Sequence, residues 1–124
     1  MSTNYLKPGA VLHYSNAGGA ITAGSVVKIG NLIGVALDDI AASTGTGAVA
    51  IQGVFTCPKN SAGSGKAIGQ GEKVLWDVSA NKFDNKDAAP ATGDVSVCCV
   101  AYAAALTTDT TVDVILNVGV GTVA

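Results

Sequence analysis

Residues 25–37, Ser-Val-Val-Lys-Ile-Gly-Asn-Leu-Ile-Gly-Val-Ala-Leu, decide the fold class, because two runs rich in β-branched side chains flank the dipeptide Gly30-Asn31. Gly and Asn tolerate the positive φ angles that a two-residue hairpin turn requires. With that turn, Ile29 pairs with Leu32, and Val27 lies on the same face of the ladder. A single hairpin is marginal in water, so further strands must supply the core.

The rest of the chain repeats this pattern of short apolar runs separated by turn residues. The predicted further strands are Val11–Tyr14, Ala48–Thr56, Glu72–Val78, Lys82–Phe83, Val95–Ala103 and Val112–Val118. Since turn signals recur about every eight to twelve residues and no segment has a helical period, we predict an all-β domain. The expected architecture is a small barrel or sandwich of short antiparallel strands over residues 8–118, with an N-terminal arm (1–7) and a C-terminal tail (119–124).

The aromatic residues Trp76 and Phe55 are the expected core anchors, because aromatic rings bury large apolar areas. Side chains alternate between the two faces of a strand, so Val74 and Trp76 should lie on one buried face. In the last predicted strand the same alternation places Val118 inward and Asn117 outward.

The composition is poor in charge. Charged residues make up 13% of the 124 residues, against about 25% in ordinary soluble domains. A surface with so little charge is easier to explain if other protein covers part of it. All seven basic residues are Lys and the net charge is -2, so the chain lacks the basic footprint of a protein that binds nucleic acid.

The sequence shows no signal for a membrane or for disulfides. The first residues contain no apolar core typical of a signal peptide, and the longest nearly apolar run, Val95–Leu106, is too short to span a bilayer. We therefore expect a protein made in the cytoplasm, with no membrane partner. The three cysteines, Cys57, Cys98 and Cys99, are expected to be reduced and buried, with the adjacent pair pointing to opposite faces of its strand.

Residue patterns for catalysis are incomplete. Ala62–Lys66 resembles the end of a phosphate-binding loop, but Ala67 follows where a Ser or Thr should bind magnesium. His13 is the only histidine and Glu72 the only glutamate, which leaves little material for an acid-base pair or a nucleophile and its base. We expect no catalytic residue, no cofactor site and no metal site.

Seven short pieces of the chain occur in an order that is found in a known family. These are Lys7-Pro8-Gly9, Gly24-Ser25-Val26-Val27, Ile29-Gly30, Ile33-Gly34-Val35-Ala36, Gly53-Val54-Phe55, Pro58-Lys59 and Gly71–Asp77. From Lys7 to Asn117 the chain resembles the capsid cement, or head decoration, proteins of tailed bacteriophages. It departs from that family at Val95–Ala105, which contains Cys98-Cys99, and in its tail beyond Asn117.

The resemblance implies a non-enzymatic structural protein of the virion. Such a protein binds the major capsid protein on the outer surface of the phage head, commonly as homotrimers at three-fold positions, and stabilises the capsid. Two alternatives stay open: another virion component, such as a head-fibre base or tail-tube protein, and a small ligand-binding or hydrolytic β-barrel.

The N-terminal arm is a candidate capsid contact, through Asn4, Tyr5, Leu6 and Lys7. Tyr5 and Leu6 are apolar residues placed ahead of Pro8, which disfavours helix in the residue before it. An extended segment of this kind can add as a strand to the edge of a partner's sheet. The alternative is a frayed terminus without a partner.

Overall fold

The computed structural model describes residues 9–63 and 65–124, which form two antiparallel β-sheets and contain no helix. The strands are β1 (Val11–Ser15), β2 (Val26–Ile29), β3 (Leu32–Ala36), β4 (Thr46–Ala50), β5 (Val54–Pro58), β6 (Lys73–Asp77), β7 (Lys82–Asp84), β8 (Val95–Ala101), β9 (Thr111–Ile115) and β10 (Thr122–Val123). One sheet has the order β1-β4-β3-β2; the other has the order β5-β9-β8-β6-β7, with β10 beside β8. The all-β prediction is confirmed, and the arrangement is sandwich-like rather than a closed barrel.

The first hairpin has the register that its turn predicts. Ile29 pairs with Leu32 and Val27 pairs with Gly34. Gly30 has a φ of 58°, a left-handed conformation that is easy for glycine and costly for residues with a Cβ atom. The turn chemistry therefore fixes which face of β2 and β3 each side chain occupies.

The second hairpin, β6–β7, carries the aromatic centre of the core. Trp76 pairs with Phe83, and their rings meet edge to face with centroids 4.9 Å apart. Trp76 is 3% exposed, and Phe55 is half-buried against the same cluster. Val74 and Trp76 both lie in this core cluster, as alternation predicts. Leu75 is also buried, but outside that cluster, beside Ala88 and Pro90.

The expected single strand Ala48–Thr56 is wrong. The chain instead forms β4 in one sheet and β5 in the other, separated by residues 51–53. Gly53 has a φ of 118°, a value that residues with side chains rarely adopt, and this glycine lets the chain leave the first sheet. A glycine within an apolar run has the same local sequence pattern whether the chain forms a bulge there or crosses to another sheet. The sequence therefore could not distinguish a bulged single strand from two strands in different sheets.

The main hydrophobic core lies between the sheets. Ile33 and Val35 of β3 belong to the same buried cluster as Val74, Val95 and Val114 of the larger sheet. The other face of the smaller sheet buries a second cluster, which consists of Val27, Ala36, Ile40 and Val49 with Tyr14, Ile21 and Ile29 packed against it.

Asn117 joins the two sheets. Its Oδ1 accepts a hydrogen bond from the Ile33 amide at 3.0 Å, and its Nδ2 donates to the carbonyl oxygens of Ile33 and Ile51 at 2.7 and 2.8 Å. The predicted outward orientation of Asn117 is therefore wrong. Its φ of 51° turns the chain out of the β9 ladder, and Val118 is 58% exposed instead of inward.

Residues 119–124, expected as a tail, return to the larger sheet as β10, which pairs with β8. Gly121 exchanges hydrogen bonds with the tip of the first hairpin: its amide donates to Asn31 O at 3.2 Å, and Asn31 Nδ2 donates to Gly121 O at 2.6 Å. Ala124 likewise bonds through its amide and its carbonyl to Asp94 and Gly93. The arm (1–7) lies outside the described residues.

Trp76→Ala should lower the free energy of unfolding by about 3–5 kcal/mol, because it removes a large side chain from a closed core and leaves a cavity. The control is Tyr102→Ala, which truncates an aromatic side chain that is 53% exposed and should cost less than about 1 kcal/mol. Urea unfolding measures both. A loss below roughly 1 kcal/mol for Trp76→Ala would show that its ring does not anchor the core.

Asn117→Asp should cost at least about 2 kcal/mol, because a carboxylate of the same shape cannot donate to the Ile33 and Ile51 carbonyls. Asn81→Asp is the matched control, since Asn81 also has a positive φ, at 53°, but is exposed in the β6–β7 turn. Its expected cost is below about 0.5 kcal/mol. Equal unfolding midpoints for the two variants in urea would contradict the inter-sheet role of Asn117.

Candidate interaction surface

Two segments that lie side by side in the larger sheet carry no charged side chain: residues 95–108 and residues 114–124. They contain most of the large hydrophobic side chains that are exposed in the described residues. These are Val97, Tyr102, Leu106, Val118, Val120 and Val123. We call the exposed part of these two segments the uncharged surface. It has two parts, and patches of exposed apolar side chains mark interaction sites on soluble proteins.

The first part of the uncharged surface is the valine patch, defined as Val97, Val118 and Val120, which are 50%, 58% and 80% exposed. The Gly119 amide donates to Cys98 O at 3.2 Å, so residues 118–120 lie directly alongside β8. A Cβ atom on Gly119 would come within 2.8 Å of Val97 O, which explains why a glycine occupies the position between the two exposed valines.

Val97 is held in an unfavourable backbone conformation. Its φ of 67° lies in the left-handed region, which costs a β-branched residue about 1–3 kcal/mol. Val97 falls where β8 loses its regular register with β6, between the pairs Val74–Cys99 and Trp76–Val95. The surrounding pairs enforce this conformation, and its result is an apolar side chain that faces solvent.

The second part is the turn from Tyr102 to Asp109, which presents Tyr102 and Leu106 at 53% and 69% exposure. Asp109 Oδ2 accepts from the Leu106 amide at 2.7 Å, and the Asp109 amide donates back to Leu106 O at 3.1 Å. Ala105 exchanges two backbone hydrogen bonds with Ile68. The turn is therefore held in one conformation, and little conformational entropy is lost when a partner binds it.

Lys59 supports this turn from below. Its side chain is 1% exposed, and its Nζ donates to Asn60 O, Thr107 O and Asp109 O at 3.1, 3.3 and 3.4 Å. Buried lysines are rare unless their donors are satisfied, and here three backbone carbonyls satisfy the ammonium group. Sequence analysis missed this role, because nothing in the local pattern distinguishes Lys59 from an exposed loop lysine.

Charged side chains outside the uncharged surface make local structural contacts. Lys66 pairs with the buried Asp84 at 3.1 Å, so the Gly-rich loop directs its lysine to a carboxylate. A hydrogen bond from Ser79 is the main reason that the pKa of Asp77 is lowered, and the same carboxylate caps the β6–β7 turn. His13 is exposed on β1. Across residues 9–63 and 65–124, no group of three or more His, Cys, Asp or Glu side chains is arranged to hold a metal ion.

A groove of about 460 Å³ runs between β2 and the β6–β7 hairpin. Val26, Pro58 and Trp76 are among its lining residues. Its one titratable side chain, Lys28, donates to Gly93 O at 2.7 Å. The groove walls are polar and apolar in about equal measure. Within the described part of the chain, no helix is long and apolar enough to cross a membrane.

Comparison with known protein families identifies the family of this chain. A family model described as phage cement protein matches residues 6–116. The chain belongs to the phage cement protein family. This confirms the resemblance noted from the sequence and makes the protein a structural component associated with the phage capsid. No curated protein and no solved structure matches the chain.

The family match covers β1 to β9 and ends at Leu116. Val97 and the turn from Tyr102 to Asp109 therefore lie inside the matched region, whereas Val118 and Val120 lie beyond it. Of the capsid-contact residues expected from the sequence, Leu6 and Lys7 fall within the match; all four, Asn4, Tyr5, Leu6 and Lys7, lie outside the described residues.

Proposed function

We propose that this protein binds the outer surface of the phage head, contacts the major capsid protein and stabilises the assembled shell without catalysis. The observation that carries the proposal is the uncharged surface, a rigid apolar area on a protein of the cement family. Interface cores are depleted in charged residues and enriched in aromatic side chains. The exposed turn presents one aromatic side chain, Tyr102, together with the apolar Leu106.

Stabilisation follows from mass action. A protein that binds the assembled shell, but not free capsid subunits, adds its binding free energy to the cost of separating those subunits. Contacts across neighbouring capsid subunits would thereby help the shell to resist the pressure of packaged DNA. Only the assembled arrangement offers such a composite surface, so binding is expected on heads and not on isolated subunits.

We further propose that the protein acts as a homotrimer, with the valine patch at the contacts between copies. Residues 114–124 carry no charged side chain, so this segment itself brings no like charges together between copies. The charged side chains near the patch are Lys73 and Lys86, which line a groove with Val97. The hydrogen bonds of Asn117 and Gly121 hold this segment in place before association. Closed rotational symmetry is the usual form of such self-association.

Val120→Asp should convert the trimer to a monomer, because it places a charge in an interface without a basic partner on this segment. The fold should survive, since Val120 is 80% exposed. Leu37→Asp is the control: Leu37 is 46% exposed just after β3 in the other sheet, and this variant should remain trimeric. Light scattering reports both masses. A wild-type protein that is monomeric both in solution and on heads would contradict the proposed trimer. A Val120→Asp variant that stays trimeric would show that the valine patch is not the contact between copies.

The arm is a second proposed capsid contact, in addition to the turn from Tyr102 to Asp109. Asn4, Tyr5, Leu6 and Lys7 precede β1, which is an edge strand of its sheet. A short extended segment can add to the edge of a capsid sheet through main-chain hydrogen bonds, with the Tyr5 and Leu6 side chains as anchors. This proposal assigns head binding and self-association to different parts of the chain.

Deletion of residues 1–7 should weaken binding to expanded heads at least tenfold, or about 1.4 kcal/mol, while melting temperature and oligomeric state stay nearly unchanged. Co-sedimentation with purified heads measures the affinity. A full-length variant with Tyr5→Ser and Leu6→Ser is the matched control for chain length and should lose most of the same affinity. Unchanged head occupancy by the deletion variant would refute the arm as the contact and would point to the turn at Tyr102.

A further inference from the structure

Cys98 and Cys99 are adjacent in sequence, and their side chains meet in the core. Their Sγ atoms lie 2.9 Å apart, and the residues are 0% and 1% exposed. Adjacent residues of a regular strand point to opposite faces, as the sequence analysis expected for this pair, and that expectation is wrong here. Val97 has a positive φ and β8 has an irregular register at this point, so both thiols lie in the same buried cluster.

We propose that Cys98 and Cys99 form a redox modification site, which a peroxide converts to a disulfide between adjacent residues. The third cysteine, Cys57, lies in the same buried cluster but has its own partner: its Sγ donates to Phe55 O at 3.5 Å. Of the three possible cysteine pairs, Cys98 and Cys99 are therefore the pair placed to form a disulfide.

The oxidation balances with one hydrogen peroxide molecule. Because both sulfurs are buried, peroxide reaches them when the sheet opens locally around β8. The Cys99 sulfur then attacks a peroxide oxygen; an S–O bond forms, the O–O bond breaks, and the departing hydroxide takes the thiol proton as water. The Cys98 sulfur then attacks the sulfenic sulfur; the S–S bond forms, the S–O bond breaks, and a second water leaves with the remaining proton. Both sulfurs are oxidised and both peroxide oxygens are reduced.

The hydrogen bonds around the pair suit Cys99 to the attacking role. The Cys98 thiol donates to Cys99 Sγ, and the Asn117 amide donates to the same sulfur at 3.5 Å. The hydrogen bond from Cys98 is the main reason that the pKa of Cys99 is lowered, and it also raises the pKa of Cys98. Burial raises the pKa of Cys57 to about 12, so that thiol is a poor nucleophile.

The bridge should be easy to reduce again. Adjacent Cα atoms across a trans peptide are about 3.8 Å apart, whereas disulfides prefer about 4.4–6.8 Å, so a bridge here is strained. Strained disulfides have more oxidising potentials. A capsid component is made inside a reducing cell and leaves with the virion into an oxidising medium, which supplies both states. The bridge would restrict the backbone of β8 next to Val97, which belongs to the valine patch, and close to Asn117, which joins the two sheets.

The test is oxidation of the folded, purified protein with hydrogen peroxide, followed by acid quench, unfolding and alkylation with iodoacetamide. Trypsin cuts after Lys28, Lys59 and Lys86, which places Cys57 in peptide 29–59 and both other cysteines in peptide 87–124. We expect peptide 87–124 to lose the mass of two hydrogen atoms and to take no label, while Cys57 is alkylated. A mild dithiol reductant should restore both labels.

Cys98→Ser and Cys99→Ser are the controls, and each should keep its remaining thiols open to alkylation after the same oxidation. Full labelling of peptide 87–124 in oxidised wild-type protein would overturn the proposal. A bridge that links the two tryptic peptides, a bridge between chains, or peroxidation of either cysteine to a sulfinic acid without an S–S bond would also overturn it. The assay needs no phage heads, so its outcome is independent of the proposed capsid function.

Discussion

The three hydrogen bonds of the Asn117 side chain are the contact on which the arrangement of the two sheets depends. They reach from the end of β9 to β3 and to the residue after β4, so one amide group ties the larger sheet to two points of the smaller one. An amide can serve this contact because it both donates and accepts. The left-handed φ of Asn117 also directs residues 118–124 toward the first hairpin, and so places the valine patch.

The parts of the fold with local turn chemistry were predictable from the sequence. The Gly30-Asn31 turn determined the register of β2 and β3, and residues 79–81 determined the second hairpin. The separation of β4 from β5 was not predictable, because a strand glycine such as Gly53 has the same pattern at a bulge and at a crossing between sheets. The outcome depends on pairing with distant strands: β4 pairs with β1 and β3, whereas β5 pairs with β9 in the other sheet.

The sequence predicted that the protein has a surface for other protein to cover, but not which residues form it. Low charge indicated that other protein covers part of the chain, yet alternation assigned Val118 to the core. That assignment failed because a positive φ at Asn117 ends the alternation, and Asn in the left-handed region leaves only a weak sequence signal. The burial of Lys59 depends on a contact with a distant segment, and the contact between Cys98 and Cys99 depends on a distorted backbone. Neither can be predicted from the spacing of residues in the sequence.

Stabilisation of the shell is the central claim, and DNA release from heated heads tests it most directly. DNA-filled heads that lack this protein should release their DNA at a lower temperature than heads to which purified protein has been restored, with the difference saturating as the head surface fills. A dye that fluoresces on released DNA gives the release temperature. Equal release temperatures at full occupancy would contradict a cement function, even if the protein binds the head.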